Sequence, residues 1–168
     1  MTMETTPTVH TERRPRENIA REGVALAPGL PPIKYEVCGV EGAPAIVVLG
    51  GISASKHVTR NSLNQNPGWW DGVVGSRRAI DTERFGVIGI DWATSLTDTA
   101  DRPAGSDIVT TFDQARAVNA VLDAVGVRSA RALVGASYGG MVALAFAARY
   151  GSRAQRVVVI GAAHESDP

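Results

Sequence analysis

Four stretches of the chain are apolar without interruption. They are Ala45–Leu49 (AIVVL), the centre of Arg84–Asp91 (RFGVIGID), Ala132–Val134 and the centre of Arg156–Gly161 (RVVVIG). Runs this short, with no polar alternation, suit strands covered on both faces. Ile33–Val37 alternates apolar and polar residues, the pattern of a half-buried strand. Two stretches carry a helical period instead. From Asp107 to about Val125, Ala115, Val118, Val121, Leu122 and Val125 share one stripe, while Asp113, Gln114, Arg116, Asn119 and Asp123 fall largely off it; Gly126 ends the helix. From about Tyr138 to Tyr150 almost every position is apolar or small, so that helix is expected to be buried on most faces. Strands alternating with helices, joined to continuous apolar runs, predict an α/β fold with a mostly parallel sheet flanked by helices.

Between these elements the chain reads as connection. Residues 1–22 mix Thr, Pro, Arg and Glu with little apolar periodicity and read as a mobile leader, with His10 idle inside it, before a domain at 23–168. Thr94–Asp107 is a loop rich in Thr, Asp, Ser and Pro. Asn61–Gly75 is polar until Gly68-Trp69-Trp70-Asp71; taken alone, the paired tryptophans suit a packed surface helix.

A chain of 168 residues is long enough for one domain with a real core. Formal charge is zero, so no basic face points to nucleic acid or an anionic membrane. The single cysteine, Cys38, excludes an internal disulfide and any multi-cysteine metal site, and its strand context makes it an inert thiol. There is no apolar run of the roughly 18 residues that cross a bilayer, and no apolar signal core, so a cytoplasmic enzyme is expected.

Chemistry concentrates at Gly135-Ala136-Ser137-Tyr138-Gly139, the pattern G-x-S-x-G, set between an apolar strand and an apolar helix. In that context the serine occupies a strained strand-to-helix turn that exposes its Oγ. The positions two before and two after it crowd together, which favours glycine. The helix that follows aims free N–H groups and its dipole at developing negative charge. The loop Gly50-Gly51-Ile52-Ser53, right after a buried strand, lacks both the P-loop and the dinucleotide glycine spacing. It suits the other half of an oxyanion hole, with backbone N–H groups from Ile52 and Tyr138.

With these residues in view, the chain resembles the α/β-hydrolase superfamily. More narrowly, Gly68-Trp69-Trp70-Asp71, Val74-Gly75, Arg78–Phe85 and Val134–Met141 follow one another as in the homoserine O-acyltransferases of methionine biosynthesis. The resemblance runs from about Ile33 to the end and implies that the tryptophan pair walls the active site. It implies a ping-pong reaction in which Ser137 takes an acyl group from acyl-CoA, a co-substrate rather than a bound cofactor, and L-homoserine then takes it from the serine. It implies small-molecule partners and no metal, with a homodimer left open and the substrate-gripping residues unassigned. Some features depart from the acetyl-transferring pattern. The loop is Leu49-Gly50-Gly51-Ile52-Ser53, Tyr138 follows the serine, and Ile90-Asp91-Trp92-Ala93 stands where the family commonly has Asn-Val-Leu-Gly-Gly. These features look more like a branch that includes succinyl-transferring enzymes, so acetyl and succinyl donors both stay open, as does serine in place of homoserine.

A serine nucleophile needs a base and an orienting carboxylate, which in this fold follow it in the chain. The one Asp and one His after Ser137 are Asp167, in the terminal tail, and His164, which nothing like the family's late His motif surrounds, while His57 precedes the serine. No histidine is therefore assigned as base. The Val157–Ile160 strand would also lack a neighbour on one side. The expectation is the N-terminal half of an α/β-hydrolase fold, with the later strands, Asp and His absent. An ordinary esterase and a non-catalytic half-fold that pairs with another chain are the alternative readings.

Overall fold

Three of the four apolar runs become the middle of a sheet, and the fourth, Val157–Ile160, joins the alternating or polar stretches at its rim. The computed structural model describes residues 18–97 and 108–163. His10, His164, Asp167 and most of the 94–107 loop lie outside the described residues. The strands are β1 (Asn18–Ala25), β2 (Ile33–Val40), β3 (Ala45–Leu49), β4 (Val74–Gly75), β5 (Ile80–Asp81), β6 (Gly86–Ile90), β7 (Ala132–Ala136) and β8 (Val157–Ile160); the helices are α1 (Thr111–Val125) and α2 (Tyr138–Tyr150).

Six strands form one sheet in the order β1-β2-β6-β3-β7-β8, and β4 and β5 pair by themselves. The pairs β6–β3, β3–β7 and β7–β8 are parallel; β1–β2 and β2–β6 are antiparallel. The sheet is thus mixed but mostly parallel, the α/β architecture expected.

The central strands are covered on both faces, as their apolar runs require; β8, expected to be covered likewise, is the outermost strand and leaves one face exposed. In β3, Ala45, Val47 and Leu49 join one core with α1, α2 and Leu133, while Ile46 and Val48 join a second with Val58, Val74, Ile80, Val87 and Val134. The first core lies under the helices. The second lies under the long excursion between β3 and β6. Side chains buried as completely as Phe146, Leu122 and Leu133 each contribute roughly 1.5–3 kcal/mol.

Three expectations need correction. Residues 18–22, assigned to the leader, belong to β1, whose ladder runs in register from Asn18↔Val40 to Ala25↔Ile33. As the outermost strand it keeps Arg21 and Glu22 exposed, so no apolar run marked it. The tryptophan pair lies in turns rather than a surface helix. On α1, Asp113 and Gln114 are buried although they fall off the apolar stripe. Asp113 closes a capping box with Thr110, which starts the helix at Thr111 rather than Asp107. Gly126, at φ 80°, ends it.

At the far edge, Val157 and Val159 of β8 pack inward against the helix-side core, while Val158 and Ile160 are 43% and 45% exposed. Among the described residues no helix is long and apolar enough to cross a membrane.

Candidate active site

Parallel strands deliver their C-terminal ends to one edge of the sheet, and three adjacent strands, β6, β3 and β7, deliver Trp92, Ile52 and Ser137 there. Ser137 sits between the end of β7 and the first turn of α2 with φ 54° and ψ −122°, a conformation a non-glycine residue adopts only when its surroundings enforce it. Those surroundings are specific. The Ser137 N–H donates to Ile160 O at 2.9 Å, and Ser137 O accepts from Gly140 N at 2.8 Å and Met141 N at 3.3 Å. A Cβ on Gly135 would lie 2.2 Å from Gly139 O, and a Cβ on Gly139 would lie 2.3 Å from Leu49 O. Both glycines are therefore sterically required, and the Ser137 side chain stands exposed at the N-terminus of α2.

The loop after β3 is tied to this turn and to three side chains. Gly139 N donates to Gly50 O at 2.8 Å. Trp69 donates its indole N–H to Ser55 O, Trp92 donates its own to Gly51 O, and Asp91 Oδ1 accepts from Lys56 N at 2.7 Å. The Trp69 ring also lies against Gly50, where a Cβ would come within 2.8 Å of it. Trp69 and Trp70 stack at 5.3 Å, and Trp92 meets the Tyr138 ring edge-on at 5.1 Å. Burial raises the Tyr138 phenol above its ordinary range; a hydrogen bond from Gln114 opposes that rise and the Asp113 charge adds to it. Among the described residues, neither Ile52 N–H nor Tyr138 N–H donates to a backbone acceptor.

His57 has a different occupation. Its Nδ1 faces both oxygens of the buried Glu36, at 3.1 and 3.3 Å, and its Nε2 faces Asn66 O at 2.9 Å. Asn61 donates to the same carboxylate at 2.7 Å. The ring clamps the excursion to β2, and the sequence offered no sign of this. Asp71, the last residue of the tryptophan motif, accepts from Thr59 Oγ1, Arg60 N, Arg60 Nε and Gly68 N. Burial pushes its carboxyl up, but the bonds from Arg60, Thr59 and Gly68 outweigh that and hold it well below the usual carboxylate range. Cys38 is buried, and burial, helped by the Glu36 charge, pushes its thiol up to about 12.

A groove of about 880 Å³ opens at the other end of the strands, between Ala45, Gly86 and Gly126; Ser137, Ile52 and Tyr138 are not in its walls. Among the described residues no group of three or more His, Cys, Asp or Glu side chains is placed to hold a metal ion.

A strained serine turn joining strand to helix, at the carboxyl end of a mostly parallel sheet, defines a domain of the α/β-hydrolase type. The family model described as alpha/beta hydrolase fold matches residues 44–168, and the chain belongs to that family. Within it, the chain is homologous to homoserine O-acyltransferases. It is 36% identical over 136 residues to a homoserine O-succinyltransferase of Xanthomonas campestris pv. campestris, covering 81% of this chain and 35% of that protein. It is likewise 36% identical over 150 residues to a homoserine O-acetyltransferase of Symbiobacterium thermophilum, covering 80% and 39%. The chain thus spans little more than a third of the length of these curated relatives. Among solved structures, the homoserine O-acetyltransferase of Staphylococcus aureus superposes with a TM-score of 0.67 at 19% identity, over 85% of this chain and 46% of that one. Esterase E22 superposes at 0.64 and 22%, over 82% and 46%. At these identities the superpositions establish the fold.

Proposed function

We propose that this chain carries the nucleophile of an acyltransferase that moves an acetyl or succinyl group from acyl-CoA to the hydroxyl of L-homoserine. Ser137 Oγ attacks the thioester carbonyl, the carbon–sulfur bond breaks, and CoA leaves as the thiol. The homoserine hydroxyl then attacks the acyl-serine and frees Ser137. Each step passes through a tetrahedral oxyanion, which the Ile52 and Tyr138 N–H groups hold at the mouth of α2. The observation that supports this most directly is the strained turn at Ser137, bonded through Gly139 to the Gly50 loop. Acyl-CoA enters as a co-substrate, the partners are small molecules, and the setting is the cytoplasm. The base is not assigned to His57, whose two ring nitrogens already face Glu36 and Asn66.

The test is thiol release from acetyl-CoA or succinyl-CoA by this chain, with and without L-homoserine, beside Ser137→Ala. With the base-bearing segment supplied in cis or in trans, homoserine-dependent release that falls by at least about 10³-fold in the variant is expected. Release that survives the substitution removes Ser137 from the mechanism. Ester hydrolysis is the second reading, since the same strained Ser137 turn serves a nucleophile whose acceptor is water. Release that does not depend on homoserine would select it.

A further inference from the structure

We propose that Trp92 is a positioning residue that aims the Ile52 N–H by holding the peptide group to which it belongs. This inference rests on the oxyanion role given to Ile52 above. Gly51 C=O and Ile52 N–H are two ends of one planar unit, and no described peptide bond is cis. In a trans peptide the two groups point in opposite directions. Trp92 Nε1 donates to Gly51 O at 2.9 Å, so Ile52 N–H is directed away from the Trp92 indole. Gly51 O accepts a second bond, from Ala54 N at 2.9 Å, in the loop's own turn. The turn thus holds the plane from within, and Gly50 and Gly51 leave the approach to it permissive; the Trp92 side chain adds a constraint from another strand.

Trp92 is itself immobilised from two sides. Gln114, 2% exposed, grips the next residue with both ends of its amide, Nε2 donating to Ala93 O at 2.8 Å and Oε1 accepting from Ala93 N at 3.1 Å. The Tyr138 ring meets the indole edge-on. The same indole therefore touches the residue carrying the second proposed oxyanion donor and fixes the peptide carrying the first. The neighbouring Asp91 holds the far end of the loop at Lys56 N. Residues 91 and 92 thus fasten both ends of the segment that carries Ile52.

Trp92→Phe keeps a ring against Tyr138 and removes the donor. The first readout is the rate at which a fluorophosphonate ester phosphonylates Ser137 between pH 6 and 9, because its phosphoryl oxygen needs the same two N–H groups. We expect a fall of about 10- to 100-fold, less than the cost of deleting an oxyanion donor outright. The shape of the pH profile should be unchanged. The second readout is the amide resonance of Ile52, expected to shift or broaden while those of Ser137 and Gly140 stay in place. The third needs no substitution: the Trp92 indole N–H of the native chain should exchange slowly with solvent. A native phosphonylation rate with an unmoved Ile52 amide overturns the inference, and so does a rapidly exchanging Trp92 indole. If the native chain reacts with the probe elsewhere than Ser137, the acyltransferase reading falls instead, and the Ile52 and Trp92 resonances still decide whether Trp92 holds that peptide.

Discussion

Gly139 N donates to Gly50 O across 2.8 Å, and this bond joins the serine turn to the loop after β3. The approach leaves no room for a side chain, since a Cβ on Gly139 would meet Leu49 O at 2.3 Å and Gly50 O at 2.6 Å. Both obstacles are backbone atoms, so no rotamer change relieves them. Gly139→Ala should cost about 3 kcal/mol in urea unfolding, at the upper end of overpacking effects. Gly151→Ala is the contrast. Its φ is −53° and nothing lies within 4 Å of the added methyl, so a gain of roughly 0.5 kcal/mol is expected from a stiffer unfolded chain.

Asp71 gives the fold a pH dependence. Its carboxyl is held below its ordinary range in the folded chain. A lowered folded value means that the stabilisation is present above the unfolded value, about pH 4, and is lost as pH falls through and below it. Asp71→Asn should therefore lower stability by about 1–2 kcal/mol at pH 7. That gap should narrow steadily from about pH 4 downwards. Urea midpoints at pH 7, 4 and 3 measure it; a gap independent of pH would refute the assignment.

His57 is expected to matter for folding. Removing it leaves Glu36, whose side chain is 2% exposed, with a buried charge held mainly by Asn61. His57→Ala should destabilise by about 3 kcal/mol, the range for a buried pair deprived of one member. The thermal midpoint reads this directly, and Glu36→Gln in the same background should recover part of the loss.

Cys38 should be silent to thiol reagents. Its sulfur is buried and its thiol is raised to about 12, so almost no thiolate exists at pH 8. A disulfide reagent should label it only as fast as the chain unfolds, and at full rate in urea.

Much of this architecture was legible because burial on both faces leaves an unbroken apolar run. Ala45–Leu49 became β3 with the same boundaries; Val157–Ile160 became β8, but one of its faces is exposed. The turn at Ser137 was legible because its two glycines have no steric substitute. Polar side chains that serve structure were not legible. Gln114 looked like an outward residue of α1 and is a buried clamp on Ala93. Asp91 and Trp92 stood out only as a departure from a family pattern, because what they hold is a backbone some forty positions earlier. The excursion over β3 and β6 carries little periodic signal because hydrogen bonds to Asp71, Glu36 and the indoles shape it.

β3 lies between β6 and β7, and its register runs from Ile46↔Ala132 to Leu49↔Gly135 on one side and from Ala45↔Gly86 to Val47↔Ile88 on the other. Seen in time rather than space, this central position sets when the site comes into being. Gly50 meets Gly139 only after β3 has found a partner far along the chain, and such distant pairings close late and slowly. A slip of two residues in the β3–β7 ladder would carry the loop about 7 Å from the serine. The Ser137 turn therefore cannot mature ahead of the sheet, and a chain caught before β3 is seated has its serine but not the Gly50 loop that Gly139 binds.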